Sequence, residues 1–173
     1  GNTFYAATGY NTYGPTFGIG IIKSMDGGET WNLTSGISSQ SIINVIYKLA
    51  IDENGVLFAI TGKNVYKSTD GANNWSEITP LQTNVLNYIP NENQEWIDLD
   101  LVPNSNGNLV FLSSRDFGGA GGGAQVLVSQ DGGLKWNNLN TYIQEWTSNF
   151  NAMTVFNPDF EMNFSFYIFF VYP

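Results

Sequence analysis

Hydrophobic and polar positions alternate along most of this chain in short runs rich in β-branched and aromatic residues. Such runs cover residues 3–8, 19–23, 45–52, 56–61, 65–67, 96–102, 109–114 and 125–128. A period of two with that enrichment predicts half-buried strands. Between the runs lie turn-forming clusters such as Asp52-Glu53-Asn54-Gly55 and Pro103-Asn104-Ser105-Asn106-Gly107, whose Asn and Gly supply the backbone conformations that a chain reversal needs. No stretch carries a helical period, so the pattern predicts an all-β chain of antiparallel strands. The final apolar run, Phe164 to Tyr172, is aromatic. A membrane-spanning helix needs about 20 apolar residues, so a strand is expected there and no membrane span. A strand of that kind left as a free edge invites aggregation. The chain opens at Gly1 directly into a strand-like run, without the basic region and apolar core of a signal peptide. Both ends read as cut, and the expectation is a piece of a longer protein or a chain whose ends a partner covers.

A repeat organises these runs. Ser24-Met25-Asp26-Gly27-Gly28-Glu29-Thr30-Trp31 recurs as Ser68-Thr69-Asp70-Gly71-Ala72-Asn73-Asn74-Trp75 and again as Ser129-Gln130-Asp131-Gly132-Gly133-Leu134-Lys135-Trp136. Each copy reads Ser-x-Asp-Gly-x-x-x-Trp, with Lys23, Lys67 and Val128 just before it. Asp in a turn accepts backbone N–H bonds from the next few residues, the following Gly supplies positive φ, and the Ser hydroxyl joins the same network. Trp then starts the next strand and is expected to pin the polar turn to an interstrand core. The flanking runs repeat with the boxes, giving a unit of strand, Asn-Gly turn, strand, loop, strand, Asp-Gly turn, strand. On this reading Ser24, Asp26, Gly27, Trp31, Ser68, Asp70, Gly71, Trp75, Ser129, Asp131, Gly132 and Trp136 are structural.

The three boxes resemble the Asp-box, or bacterial neuraminidase repeat, of the sialidase-like β-propellers. That superfamily includes sialidases, xyloglucan-degrading endoglucanases, sortilin-type receptors and photosystem-assembly-factor-like proteins. Ala72 stands where the pattern often has Gly, and Val128 where it has Lys. The resemblance implies a β-propeller of four-stranded antiparallel blades with Asp-box turns. It divides the chain into a blade remnant at 1–36, blades at 44–80 and 95–140, and the start of another at 151–173. About three and a half blades cannot close a ring that usually has four to eight, so further blades or a protein partner are expected to cover the cut ends.

Composition narrows the chemistry. The 173 residues carry six Lys+Arg against 15 Asp+Glu, a formal charge of −9, and no His or Cys. That excludes a His-based triad, a thiol nucleophile and a zinc or haem site ligated by this chain. No metal site and no cofactor are expected. The acidic balance argues against nucleic acid, which requires a basic stripe.

The longer loops are the expected home of function. They are Gly9 to Gly18, Pro80 to Glu95, Arg115 to Ala124 and Thr141 to Phe150. Tyr10, Tyr13, Tyr142 and Trp146 are candidates for an aromatic platform that binds sugar rings or a peptide, and equally for loop anchors. Asp98 and Asp100 alternate along Trp96-Ile97-Asp98-Leu99-Asp100-Leu101 and share a face with Trp96 if the strand is regular. On an innermost strand such carboxylates could bind a cation or act in glycoside hydrolysis, or they are solvated channel residues. Asp116 is a weaker catalytic candidate, and Arg115-Asp116 reads as a local ion pair or loop anchor. Gly118 to Gly123 lacks the Lys and helix of a phosphate loop. A sialidase would need three arginines and a tyrosine nucleophile, and Arg115 is the only arginine.

These features favour a non-catalytic secreted or cell-surface module that binds protein or glycan, in an extracellular or bacterial envelope setting. A fragment of a propeller glycoside hydrolase is the first alternative. A segment of an exported cargo or structural subunit, bound to a partner complex, is the second.

Overall fold

A computed structural model of the chain describes residues 2–8, 18–38, 46–87, 94–116 and 124–139. The first sheet has the order β1 (Phe4–Ala7), β2 (Gly20–Ser24), β3 (Asn32–Ser38). The second runs β4 (Lys48–Ile51), β5 (Leu57–Ile60), β6 (Val65–Ser68), β7 (Ser76–Glu77). The third contains β8 (Val85–Leu86), β9 (Gln94–Leu101), β10 (Val110–Asp116), β11 (Val126–Ser129) and β12 (Trp136–Asn138), in the order β8-β12-β11-β10-β9. The predicted runs became strands because their β-branched and aromatic side chains pack well on a pleated surface. Among the described residues no α-helix occurs.

Register makes the three sheets equivalent. Phe4 lies opposite Ser24, Leu57 opposite Ser68 and Val110 opposite Ser129. The strand before each box therefore pairs in the same frame with the box serine. The sheets stack face to face on two apolar clusters. Ile21 and Ile37 of the first sheet meet Ile46, Ala59, Leu49, Tyr66 and Trp75 of the second. Phe58, Ile60, Val65 and Ile78 of the second meet Leu99, Val110, Leu112, Leu127 and Trp136 of the third.

Two features depart from expectation. The segment from Pro80 to Glu95, expected as loop alone, contributes β8, which pairs in parallel with β12 (Trp136 opposite Val85). That adds a fifth, parallel strand to a unit expected to have four antiparallel ones. A short turn aims it: the Leu81 N–H donates to Asn84 Oδ1 at 2.6 Å, and the Trp136 N–H donates to the Asn84 carbonyl at 2.8 Å. Val85 then enters the core at 8% exposure.

The second departure is a bulge in β9. Ser113 pairs with Asp98 but Ser114 pairs with Trp96, so Ile97 is the extra residue. A bulge reverses the alternation of side chains. Trp96 and Leu99 both enter the core cluster, so Asp98 and Asp100 do not share a face with Trp96. The expectation of a regular strand is corrected at that point.

Candidate functional site

The stack of sheets has two chemically different ends. At one end lie the three Ser-x-Asp-Gly turns, built alike. The Ser24 hydroxyl donates to Asp26 Oδ1 at 2.8 Å and accepts the Gly28 N–H at 2.8 Å. Ser129 does the same with Asp131 at 2.9 Å and the Gly133 N–H at 2.8 Å, and Ser68 with Asp70 at 2.9 Å and the Ala72 N–H at 3.0 Å. Asp26 Oδ1 accepts the Thr30 N–H, Asp70 Oδ1 the Asn74 N–H, and Asp131 Oδ1 the Lys135 N–H, each at 2.9 Å. Gly27, Gly71 and Gly132 have φ of 83°, 70° and 71°, the left-handed region that glycine enters at little cost.

Hydrogen bonding to the ionised form holds these carboxylates below the ordinary range. The Thr30 hydroxyl and N–H, then Ser24, lower Asp26. The Asn74 N–H and side-chain amide, then Ser68, bring Asp70 down to about 2. At Asp131 burial pushes upward, but the Lys135 N–H, the Ser129 hydroxyl and the Leu134 N–H together win and lower it. The acids of the turns are therefore consumed as acceptors, which disqualifies them as proton donors near neutral pH.

The tryptophans differ. Trp136 is 3% exposed and donates Nε1–H to the Ile78 carbonyl of the second sheet at 3.2 Å. Trp75 is half-buried and lies against Gly36 of the first sheet, where a Cβ would stand 3.1 Å from its ring. Trp31 is 41% exposed and donates to the Gly28 carbonyl of its own turn. The expected interstrand core therefore includes Trp136 and Trp75, while Trp31 lies largely outside it, since no described sheet covers that side.

At the opposite end β4 and β9 begin and β10 finishes, and a polar cluster forms there. Arg115 and Glu95 are cross-strand partners, and Arg115 Nη2 donates to Glu95 Oε2 at 2.9 Å. The same nitrogen donates to the Tyr47 hydroxyl at 3.3 Å, and the guanidinium lies 5.5 Å from the Tyr47 ring centroid. Tyr47 in turn donates to Glu95 Oε2 at 3.4 Å, and its ring stands where a Cβ on Gly62 would fall, 2.8 Å away. Lys48 Nζ reaches Asp98 Oδ1 at 2.7 Å and Asp100 Oδ1 at 3.9 Å. In the same sheet, Gln125 Nε2–H donates to Gln94 Oε1 at 3.3 Å and Asn138 Nδ2–H to Gln125 Oε1 at 2.9 Å.

Of the candidates drawn from sequence, Asp98 and Asp100 are thus gathered around one ammonium. Arg115 pairs with Glu95, a partner twenty residues away in sequence; the side chain of Asp116 lies outside the described residues. Tyr10, Tyr13, Tyr142 and Trp146, and the run from Gly118 to Gly123, also lie outside them. Sequence reasoning missed Tyr47 and Lys48, and placed Glu95 on the Pro80–Glu95 segment without its partner Arg115. Only the β9–β10 register could have revealed Glu95 opposite Arg115, and the bulge at Ile97 hides that register. A groove of about 290 Å³ runs between Glu77, Thr79, Leu81, Asn84, Gly133 and Leu134. Its acid is already engaged, accepting from Asn64 Nδ2 and Thr79 Oγ1, each at 2.8 Å. Among the described residues no group of three or more His, Cys, Asp or Glu side chains could hold a metal ion. No helix among them is long and apolar enough to cross a membrane.

No family model matches the chain, and no curated protein matches it. Among solved structures it is similar to the GH74 xyloglucanase from Xanthomonas campestris, with 17% identity over 69% of this chain and 17% of that one, and a TM-score of 0.54. It is also similar to an ancestral GH74 enzyme (23% identity, 69% of this chain, 15% of that one, TM-score 0.49). YCF48 bound to D1 peptide matches at 20% identity over 83% of this chain and 54% of that one, with a TM-score of 0.32. The chain therefore spans 15% to 17% of the length of the two GH74 proteins. The likeness to the xyloglucanase, together with stacked antiparallel sheets, supports a β-propeller fold.

Proposed function

We propose that the three sheets are consecutive blades of an Asp-box propeller of the sialidase-like superfamily, and that the chain serves as a non-catalytic extracellular or bacterial-surface module. Its ligand is a protein segment or a glycan held over the end opposite the Ser-x-Asp-Gly turns. One observation carries this reading: the Tyr47–Glu95–Arg115 cluster and the Lys48–Asp98–Asp100 group form a polar floor in which two cations face three carboxylates. Residues 39–45, 88–93 and 117–123 are the sequence neighbours of the segments that carry this floor, and they are the stretches of chain assigned here to ligand contact. A floor of engaged charges favours recognition by shape, aromatic contact and hydrogen bonding over acid–base chemistry.

The test is binding to glycan and peptide arrays with the 173-residue chain and its Tyr142→Ala, Trp146→Ala and Arg115→Gln variants. Loss of a bound probe in these variants is the expected result; identical profiles in all four proteins would sink the loop-face reading. A second reading, a piece of a propeller glycoside hydrolase, draws on the two carboxylates carried by β9. Hydrolysis of a β-glucan that Asp98→Asn or Asp100→Asn abolishes would establish it in place of the first.

A further inference from the structure

The two seams between sheets repeat one device. Lys23, just before the first box, donates Nζ–H to the Gly71 carbonyl of the second sheet's turn at 3.0 Å. Lys67, at the same position before the second box, donates to the Gly132 carbonyl of the third sheet's turn at 3.3 Å. Each ammonium also lies over an aromatic ring on the neighbouring strand of its own sheet, Lys23 over Tyr5 at 5.5 Å and Lys67 over Phe58 at 5.3 Å. Tyr5 and Phe58 are the register partners of those lysines. Both accepting residues are glycines in the left-handed region, at φ of 70° and 71°, and a Cβ on Gly132 would fall 2.3 Å from Lys67 Nζ, so a side chain there would displace the ammonium from its carbonyl. A cation that is half-buried against a ring and bonded to a carbonyl is a directional contact, so each sheet reaches forward to the next.

The first sheet holds the acceptor half of this device with no donor among the described residues. Gly27 occupies the place of Gly71 and Gly132, and a Cβ there would have only Asn2 within 4 Å, at 3.9 Å. The apolar residues around it match faces that are buried elsewhere. Register sets Phe4 in the place of Leu57 and Val110, both 0% exposed, yet Phe4 is 52% exposed. Trp31 corresponds to Trp136 and is 41% exposed, and Leu33 beside it is 52% exposed. Contiguous exposed apolar residues around an unmatched polar acceptor mark an interaction surface.

We infer that the face formed by Phe4, Ile22, Trp31, Leu33 and Gly27 docks a further repeat sheet. That sheet presents a lysine immediately before its own Ser-x-Asp-Gly turn, seated on an aromatic ring, and the lysine donates to the Gly27 carbonyl. The inference rests on the repeat reading above but not on any ligand at the loop end. Two other occupants lack the required cation. A second copy stacking its third sheet here would offer Val128 in the lysine position, although Phe111, the register partner of Val128, keeps the ring. Residues 140–173 contain neither Lys nor Arg.

The repeat frame supplies its own probe. The Gly27 N–H bonds the Asn2 carbonyl as the Gly132 N–H bonds that of Asn108, both at 2.9 Å, so a copy of residues 46–107 placed before Asn2 continues the chain in frame. The copy adds a Lys67-bearing sheet and gives the first sheet the innermost strand that β9 provides in the third. The readout is the ¹⁹F spectrum of the 5-fluorotryptophan-labelled protein with a soluble paramagnetic agent, the Trp31 signal being assigned with Trp31→Phe. Trp31 in the extended chain should lose its paramagnetic broadening and reach the level of Trp136, and replacing the copied lysine with Met should restore part of the broadening. If Trp31 stays as broadened as in the 173-residue chain while Trp75 and Trp136 stay protected, the inference fails. It fails equally if the Lys→Met copy protects Trp31 as well as the parent copy does. Sedimentation of the 173-residue chain as a dimer with Trp31 already protected would assign the face to a second copy and overturn the proposal. None of these outcomes depends on array binding, so the two readings fail separately.

Discussion

Trp136 and Trp31 close the same eight-residue turn, yet one is 3% exposed and the other 41%. The turns themselves are alike: serine to aspartate at 2.9 Å and 2.8 Å, serine from the second-glycine N–H at 2.8 Å in both. What differs is the neighbour. Trp136 has Ile78 of the adjoining sheet as hydrogen-bond acceptor and packing surface, whereas Trp31 turns its indole N–H back to Gly28 of its own loop. The turn is therefore a local unit that its own polar groups complete, while the hydrophobic core belongs to the seam between two sheets. Local motif and global burial are separate inventions in this fold, and substitutions can pull them apart.

The tryptophans give the widest separation. Trp136→Ala should destabilise the chain by about 3–5 kcal/mol, the usual cost of deleting a buried large aromatic. Trp31→Ala should cost under about 1 kcal/mol, as surface substitutions do. Urea unfolding followed by far-UV circular dichroism reads both, and equal losses would dissolve the contrast between seam and open face. The second glycines come next. A Cβ on Gly133 would stand 2.4 Å from Ile78 Cδ1 at a φ of 95°, while one on Gly28, at 100°, meets only the Trp31 ring at 3.9 Å. Gly133→Ala therefore adds overpacking to left-handed strain, about 2–4 kcal/mol in all, against about 1–2 kcal/mol for Gly28→Ala. The same denaturation experiment orders them, and a larger loss at Gly28 would contradict the packing argument.

How much of this was legible in the sequence divides along the same line. The strands and turns were readable because period-two alternation and Asp-Gly chemistry are local signals, and the box spacing carried the repeat. The unequal fates of Trp31, Trp75 and Trp136 were not readable, because identical local patterns received different neighbours. Strand β8 escaped for a related reason: Val85 and Leu86 are too short a run to alternate, and only pairing with Trp136 and Asn137 makes them a strand. The Asp98–Asp100 face was misassigned because a bulge at Ile97 leaves no mark in composition. The loop-end cluster depends on Glu95 facing Arg115 and on Tyr47 arriving from another sheet, long-range facts by nature. Lys23 and Lys67 were visible as a recurring position, but their carbonyl acceptors lie in the following repeat.

The serines should erase the contrast that the tryptophans create. Ser24 and Ser129 are 0% and 1% exposed, and each hydroxyl both donates to the turn carboxylate and accepts two backbone N–H bonds. Replacing either with Ala removes the acceptor of those buried or partly buried donors, at a cost of about 1–3 kcal/mol. Ser24→Ala and Ser129→Ala should therefore agree, one on the open face and one in the seam. A loss confined to Ser129 would mean that the turn draws its strength from the neighbouring sheet after all.

Acid provides the mildest probe and the cleanest sign. All three turn carboxylates have lowered pKa values in the fold, Asp70 at about 2, against roughly 3.9 for an unfolded aspartate. Between those values the unfolded chain binds more protons than the folded one, so stability rises with pH across that interval. The contribution is complete above the unfolded value and is lost as pH falls through the folded ones. Unfolding midpoints should thus hold steady down to near pH 5 and decline progressively below about pH 4. Asp70→Asn should flatten part of that decline, because the variant has no proton to take up at the turn. The effect should be smaller than that of either serine, since Asp70 lies at the surface and solvent weakens its interactions. A decline of unchanged slope in Asp26→Asn, Asp70→Asn and Asp131→Asn alike would place the acid sensitivity outside the turns.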